Sequence, residues 1–160
     1  MKKTKSILAL VFVILFALSA IGCGKKNPAD VETFYAKTAE YGLEKTNLTI
    51  DDDTFLALLK DKGFALKMSG SKAIICEFYV TNENSGAAMI YAGTKSEAES
   101  IVTGARSSSS VNSGTYSYIR YANSEVMCIL ARIENTVLYI RADKDLADDA
   151  DGIAKALGYK

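Results

Sequence analysis

Residues 125–142 of the chain read EVMCILARIENTVLYIRA, two runs of aliphatic, β-branched and aromatic residues separated by Glu134 and Asn135. Runs of this composition and length are typical of β-strands, and a two-residue break between them predicts a hairpin. A turn at Glu134 and Asn135 places Leu130 opposite Tyr139, and a slip of one residue would turn every side chain to the other face. We expect this hairpin to form the centre of the fold.

Strand composition recurs outward from the hairpin. Residues 64–69, 73–80 and 115–121 are also rich in β-branched and aromatic residues, with Gly70 in the turn between the first two. A three-residue turn at 122–124 joins the third segment to the hairpin, whereas the serine-rich residues 107–114 predict a loop. The sequence therefore predicts an antiparallel sheet of four or five strands.

Four other segments have apolar residues at helical spacing. Asn27 and Pro28 favour the start of the first helix, and Asp51 or Asp52 can cap the second. The predicted helices cover residues 28–42, a short segment from 51 or 52 to 63, residues 81–106, and residues 143–158. Together with the strands they predict a single small α+β domain with helices packed on one face of the sheet.

The segment 81–106 allows two interpretations. Apolar and small residues keep one face over its whole length, which favours a single long helix. Gly86 and Gly93 interrupt that pattern, and Thr94 to Glu97 have the capping-box spacing that could start a shorter helix after a strand. We predict the single helix, and the strand followed by a short helix is the alternative.

The predicted pairing also sorts the polar side chains of the meander. A three-residue turn at 122–124 puts Ile119 and Tyr121 on the apolar side with Ile129. The opposite face then collects three tyrosines and three arginines, which are Tyr116, Tyr118, Arg120, Arg132, Tyr139 and Arg141. Such a face could stack on sugar rings or hold an anion or an acidic protein loop. It could equally be the ordinary solvated face of an antiparallel sheet.

Charge and composition exclude several classes of function. The chain has 19 basic and 19 acidic residues, and three of the basic residues but no acidic one precede Cys23, so the remainder has a net charge of −3. Nucleic-acid binding needs a basic surface and is not expected. The chain contains no histidine, which removes the usual zinc ligand and every Ser-His or Cys-His catalytic pair. We predict no catalytic residues, no metal and no cofactor.

The N-terminus has the features of an export signal. Three lysines among the first five residues precede an apolar or small run at 7–20, which is shorter than the roughly 20 residues that span a bilayer. Residues 20–23, AIGC, resemble the lipobox of bacterial lipoproteins, in which the cysteine is acylated and becomes the new N-terminus. This resemblance implies a signal peptide at 1–22, a lipidated tether at 23–28, and a globular domain at 29–160. The alternatives are an ordinary signal peptide cut near Ala20 or an uncleaved anchor.

The remaining cysteines and acids are assigned structural roles. Cys76 and Cys128 are expected on opposite faces of the sheet, where no disulfide can join them, because a disulfide needs Cβ atoms about 4 Å apart. A calcium loop starting at Asp143 would need an oxygen ligand at its fifth position and glycine at its sixth, where Ala147 and Asp148 stand. Of the aspartates from Asp143 to Asp151, the early ones are expected to complement the helix dipole and the later ones to lie on a solvated face, and those at 51–53 are expected to cap a helix.

Residues 131–139, with Leu157, Gly158 and Tyr159, resemble the C-terminal pattern of small uncharacterised lipoproteins from clostridial bacteria, over about the last 50 residues. The resemblance implies no activity. We therefore expect a lipoprotein on the extracytoplasmic side of the cell membrane that binds a ligand, an envelope protein or a glycan without catalysis. The alternatives are an accessory subunit of an envelope complex, and a histidine-free enzyme that uses carboxylates on glycans.

Overall fold

A computed structural model describes residues 26–47, 53–103 and 106–160. The predicted signal peptide, Cys23, and the helix caps Asp51 and Asp52 lie outside these residues. The described elements, in chain order, are α1 (Val31–Glu40), β1 (Glu44–Lys45), α2 (Asp53–Leu56), β2 (Leu59–Ser69), β3 (Lys72–Thr81), α3 (Asn84–Ile101), β4 (Arg106–Ser113), β5 (Tyr116–Ala122), β6 (Val126–Ile133), β7 (Thr136–Asp143), a 3₁₀ turn (Lys144–Leu146) and α4 (Ala147–Ala156).

The described strands form one antiparallel sheet of seven strands in the order β1-β2-β3-β7-β6-β5-β4. The predicted α+β class and the single domain are confirmed, but the sheet has more strands than the four or five expected. The serine-rich segment predicted as a loop is β4, which pairs with β5 from Arg106 to Ser113 with one register shift between Ser107 and Ser109. The short strand β1 adds the other edge by pairing with Leu66 and Ala65 of β2.

The observed helix boundaries agree only in part with those predicted from the sequence. The helix α3 is single and continuous, as predicted, although it is shorter than residues 81–106. The helix α1 begins after Asp30, whose side chain accepts a hydrogen bond from the Thr33 backbone N, so Asn27 is not its cap. The helix predicted to end at Gly63 stops at Leu56, because Leu59 and the residues that follow pair with β3.

Helices cover both faces of the sheet, so the prediction that they pack on one face is wrong. On one side, here called the α1/α4 face, Phe78, Ile129 and Ile140 pack against the helices α1 and α4. On the other side, the α3 face, Leu130 and Tyr139 pack with side chains of α3. A strand with both faces buried carries apolar residues at consecutive positions, as β6 does, and no solvated side remains in the middle of the sheet.

The packing of α1 depends on aromatic contacts. Phe34 is fully buried and stacks on Phe78 of β3, with ring centroids 5.2 Å apart and an interplanar angle of 10°. The backbone of Gly63 in β2 lies against the Phe34 ring, so close that a Cβ atom at Gly63 would be 2.6 Å from Phe34 Cδ1. The missing side chain of Gly63 therefore sets the distance between α1 and the sheet.

Candidate functional site

The six residues predicted to share one face are divided between the two faces. The hairpin pairs Leu130 with Tyr139 and Cys128 with Arg141, as predicted. The strand β5 is registered differently, because Ala122 pairs with Met127 and Tyr118 pairs with Ala131. Three of the six therefore lie on the α1/α4 face, namely Tyr116, Tyr118 and Arg120, and three lie on the α3 face, namely Arg132, Tyr139 and Arg141.

The turn between β5 and β6 explains the error. The Asn123 backbone N donates to the carbonyl oxygen of Val126, so Ser124 and Glu125 form a two-residue turn rather than the three-residue turn expected. The Asn123 side-chain oxygen accepts hydrogen bonds from the backbone N of both Glu125 and Val126, at 2.9 and 2.8 Å. An asparagine of this kind stabilises a tight turn, and the register shift moves β5 side chains to the opposite face.

Two of the trio on the α1/α4 face, Tyr116 and Arg120, contact the C-terminal segment of the chain, and Tyr118 is buried in the core of that face. Arg120 Nη2 lies 3.3 Å from Asp151 Oδ2, and Lys160 Nζ donates to the other carboxylate oxygen of Asp151 at 2.6 Å. The hydroxyl of Tyr116 donates to the carbonyl oxygen of Tyr159 at 3.0 Å. These contacts join α4 and the residues after it to β5, so they have a structural role.

In the second trio, Arg141 alone is exposed. Tyr139 is buried, with its hydroxyl 3.6 Å from Cys128 Sγ, and Arg132 donates to the carbonyl oxygen of Gly114. Among the residues that the structure describes, none forms a hydrogen bond or an ion pair with the Arg141 guanidinium group. Arg141 is therefore the predicted binding residue that is available for an external partner.

Arg141 lines a cleft of about 170 Å³ at the end of β7, here called the Arg141 cleft. Its walls are Ala73, Ile75, Val126, Ala142 and Asp143. The Asp143 Oδ2 atom accepts a hydrogen bond from the backbone N of Ala73 at 2.6 Å and so holds the adjacent strand ends together. The cleft combines an exposed cation with an apolar wall, which is suited to an acidic side chain that also presents aliphatic carbons.

A larger groove of about 350 Å³ runs along β1 and β2. Its lysines are already engaged within the protein, because Lys67 Nζ lies 2.9 Å from Asp149 Oδ2 and Lys45 Nζ lies 4.7 Å from the centroid of the Tyr35 ring. This groove therefore offers less unused charge to a ligand than the Arg141 cleft does.

A buried polar cluster that was not predicted from the sequence lies beneath α3. The Glu77 carboxylate accepts a hydrogen bond from the Tyr79 hydroxyl, two residues along the same face of β3. Burial raises the pKa of Glu77, and the negative charge of Glu97 on α3 raises that pKa further. The only signal in the sequence was one acidic residue within an apolar strand.

Burial also acts on the phenol and thiol groups of this cluster. Burial is the main cause that raises the pKa of Tyr79, of Tyr139 and of the Cys128 thiol. Phenol and thiol groups are nucleophilic when ionised, and these conditions oppose ionisation near neutral pH. Glu97 on α3 is exposed, so Glu77 is the one buried carboxylate of the cluster. Its hydrogen bond from Tyr79 and the contact of Cys128 with Tyr139 fit a satisfied internal network.

The cysteines and acids are placed as follows. Cys76 and Cys128 lie on opposite faces of the sheet, which confirms that part of the prediction, and both are buried free thiols. Within residues 26–47, 53–103 and 106–160, no three Cys, Asp or Glu side chains gather closely enough to bind a metal ion.

The described part of the chain also contains no helix with the length and apolar character needed to cross a bilayer.

No known protein family matches this sequence, and no curated protein is significantly similar to it. A solved structure described as a GTP binding regulator from Thermotoga maritima is similar in fold, with a TM-score of 0.54 and 8% sequence identity. The similarity covers 81% of this chain and 88% of the other. At this identity the likeness concerns the arrangement of the sheet and helices alone, and it agrees with an α+β domain.

Proposed function

We propose that this chain is a lipoprotein anchored to the extracytoplasmic side of the cell membrane, whose domain binds a protein partner and catalyses no reaction. The anchoring part is supported by the basic N-terminus, the short apolar run and the lipobox-like residues 20–23. Acylation of Cys23 would add more than one lipid chain, which is what stable anchoring requires.

The binding part is supported by one observation, the exposed guanidinium group of Arg141 in a cleft with an apolar wall. Arginine presents several N–H donors in a planar group and pairs well with carboxylates. Ile75 and Val126 would exclude water from such a pair and so strengthen it. An acidic loop of another envelope protein has the chemistry that this cleft would accept.

The absence of catalysis is supported by two features. The chain contains no histidine. In the buried polar cluster beneath α3, burial raises the pKa of Tyr79, of Tyr139 and of the Cys128 thiol, because it disfavours their charged forms. These conditions do not favour an activated phenolate or thiolate nucleophile.

A second candidate is an accessory subunit of an envelope complex without a ligand of its own. It is favoured by the helices that cover both faces of the sheet and by the internal contacts of Arg120, Tyr116 and Tyr139. In this case the domain would contact its neighbours through other surfaces, such as those around the exposed Met68 or Met89.

The anchoring part is tested by metabolic labelling with a palmitate analogue. We expect Cys23→Ala to abolish incorporation and to release the protein from the membrane fraction. Cys128→Ala removes a buried thiol instead and is the matched control, which should keep the label. Incorporation that persists in Cys23→Ala would refute acylation at this residue.

The binding part is tested by photo-crosslinking in intact cells. A photoreactive amino acid at position 126 should give a discrete adduct that is lost in Arg141→Glu but kept in Lys155→Glu, which makes the same charge change on the exposed face of α4. The same probe at position 68 should give none. An adduct from position 68 and none from 126 would favour the accessory subunit over binding at the Arg141 cleft.

A further inference from the structure

The chain enters the domain at one fixed position. Lys26 Nζ donates a hydrogen bond to the carbonyl oxygen of Gly158 at 3.2 Å and lies 4.5 Å from the centroid of the Tyr116 ring. A cation over an aromatic ring and a charged hydrogen bond are each favourable, and together they hold Lys26 beside the start of β5 and the C-terminal segment.

Cys23 precedes Lys26 by three residues. A fully extended chain spans at most about 3.6 Å per residue, so the Cα atoms of Cys23 and Lys26 are no more than about 11 Å apart. The ten residues of β3, from Lys72 to Thr81, extend over roughly 30 Å. The tether is therefore too short to let the lipid reach both ends of the sheet.

Hydrogen bonds between turns identify the end of the sheet near Lys26. The Glu134 backbone N donates a hydrogen bond to the carbonyl oxygen of Thr115, the residue before Tyr116, at 2.7 Å. The backbone N of Thr81, the last residue of β3, donates to the carbonyl oxygen of Asn135 at 2.8 Å. These turns form what is here called the Lys26 end. The turns at Ser71 and Ser124, with the last residue of β7, Asp143, form the opposite end.

The Arg141 cleft belongs to the opposite end. Arg141 and Asp143 are among the last three residues of β7. The first residue of β7, Thr136, lies at the other end of the strand, where it pairs with Ile133 beside the Glu134 turn. Over the eight residues of β7 this separation is about 23 Å. A lipid surface close to Lys26 would leave the cleft on the far side of the domain.

We infer that the Lys26 end of the domain lies against the lipid surface and that the Arg141 cleft points away from the membrane, toward partners in the envelope. This inference rests on the proposed acylation of Cys23. The short tether determines the orientation, and Lys160 marks the same end because it follows Tyr159, whose carbonyl oxygen accepts a hydrogen bond from the Tyr116 hydroxyl.

The orientation is tested with the full chain purified from membranes and reconstituted in phosphatidylcholine and phosphatidylglycerol vesicles that contain a headgroup-spin-labelled lipid. Single cysteines at Thr115→Cys and Ser71→Cys carry a fluorophore, with Lys160→Cys and Ser124→Cys as a second pair. All four positions are exposed. The buried Cys76 and Cys128 stay unlabelled in folded protein, which gives an internal check on each variant.

We expect the spin label to quench the fluorophores at 115 and 160, and quenching to be lost at 71 and 124. Equal quenching at both ends, or stronger quenching at 71 and 124, in protein that floats with the vesicles would overturn the orientation alone. Protein that does not float and takes up a fluorophore at Cys23 would overturn the anchoring, and the orientation with it.

Discussion

Glu77 stands in the middle of β3 between the apolar residues Cys76 and Phe78, both of which are fully buried on the other face. Its carboxylate is desolvated beneath α3 and receives one hydrogen bond, from Tyr79. Desolvation favours the protonated acid, and the raised pKa shows that this effect exceeds the stabilisation of the charged form by Tyr79. The ionisation of Glu77 is therefore coupled to folding.

The stability of the protein should depend on pH through this residue. A carboxyl group whose pKa is higher in the folded than in the unfolded protein binds its proton more tightly in the folded state, so its contribution falls as pH rises above its ordinary value of 4.5. We expect Glu77→Gln, which keeps an acceptor for Tyr79, to gain stability relative to wild type between pH 4.5 and pH 8. Urea denaturation at a series of pH values measures this difference.

Glu44→Gln removes one charge from an exposed residue of β1 and serves as the control for charge alone. If Glu77→Gln and wild type lose or gain stability in parallel across that pH range, Glu77 is not coupled to folding and the described burial of its carboxylate is wrong.

Thiol accessibility tests the placement of the internal cysteines. Burial raises the pKa of both Cys76 and Cys128, and a protonated, buried thiol reacts slowly with alkylating reagents. Folded protein should remain unmodified by iodoacetamide, and protein unfolded in guanidinium without reductant should gain two alkyl groups by mass. No modification of the unfolded protein would reveal a disulfide, and a third alkyl group would show that Cys23 carries no lipid.

Residue-scale features of the candidate site could be predicted only in part. The sequence identified Arg141 among six candidates, but its exposure depends on α3 packing over the middle of the sheet while Arg141 lies near the end of β7. Glu77 shares its face of β3 with Tyr79, and this alternation was evident in the sequence. Its burial was not, because it is caused by a helix on a face that was expected to be open.

At the scale of elements, the turns determined which strand registers could be predicted from the sequence. The Glu134 and Asn135 turn was predicted with its register, because two residues between two apolar strands leave few alternatives. The turn at Asn123 depends on side-chain hydrogen bonds that composition does not indicate. The strand β4 has mostly serine residues, so its strand conformation follows from pairing with β5 rather than from local preference.

The contact between α1 and β2 can be tested at Gly63. A Cβ atom there would be 2.6 Å from Phe34 Cδ1, well inside van der Waals distance, and Phe34 is fully buried against Phe78. We expect Gly63→Ala to lower the free energy of unfolding by about 1–3 kcal/mol, the usual cost of overpacking a core. Chemical denaturation followed by circular dichroism measures it.

A double-mutant cycle separates this clash from a general effect of losing a glycine. In a Phe34→Leu background the added methyl group should cost less, and Gly93→Ala on α3, where the closest atom would be Phe55 Cζ at 3.1 Å, should change stability little. Equal costs with and without Phe34 would contradict the close packing of α1 on Gly63.

At the scale of the whole molecule, the pairing of β3 with β7 holds the domain together. These strands are far apart in the chain, and their pairs run from Ile74 with Ala142 to Val80 with Thr136. The sequence predicted both strands but not this pairing, because local periodicity gives no information about which distant strands meet. Helices on both faces follow from it, since a central pair buried on both sides needs cover on each side.

The proposed tethering of the domain to a lipid surface through Cys23 can be measured by mass spectrometry of the protein purified from membranes. We expect a mature N-terminus at Cys23 that carries a diacylglyceryl group, with no peptide from residues 1–22. An unlipidated peptide that contains Cys23, preceded by Gly22 or by the intact N-terminus, would contradict it.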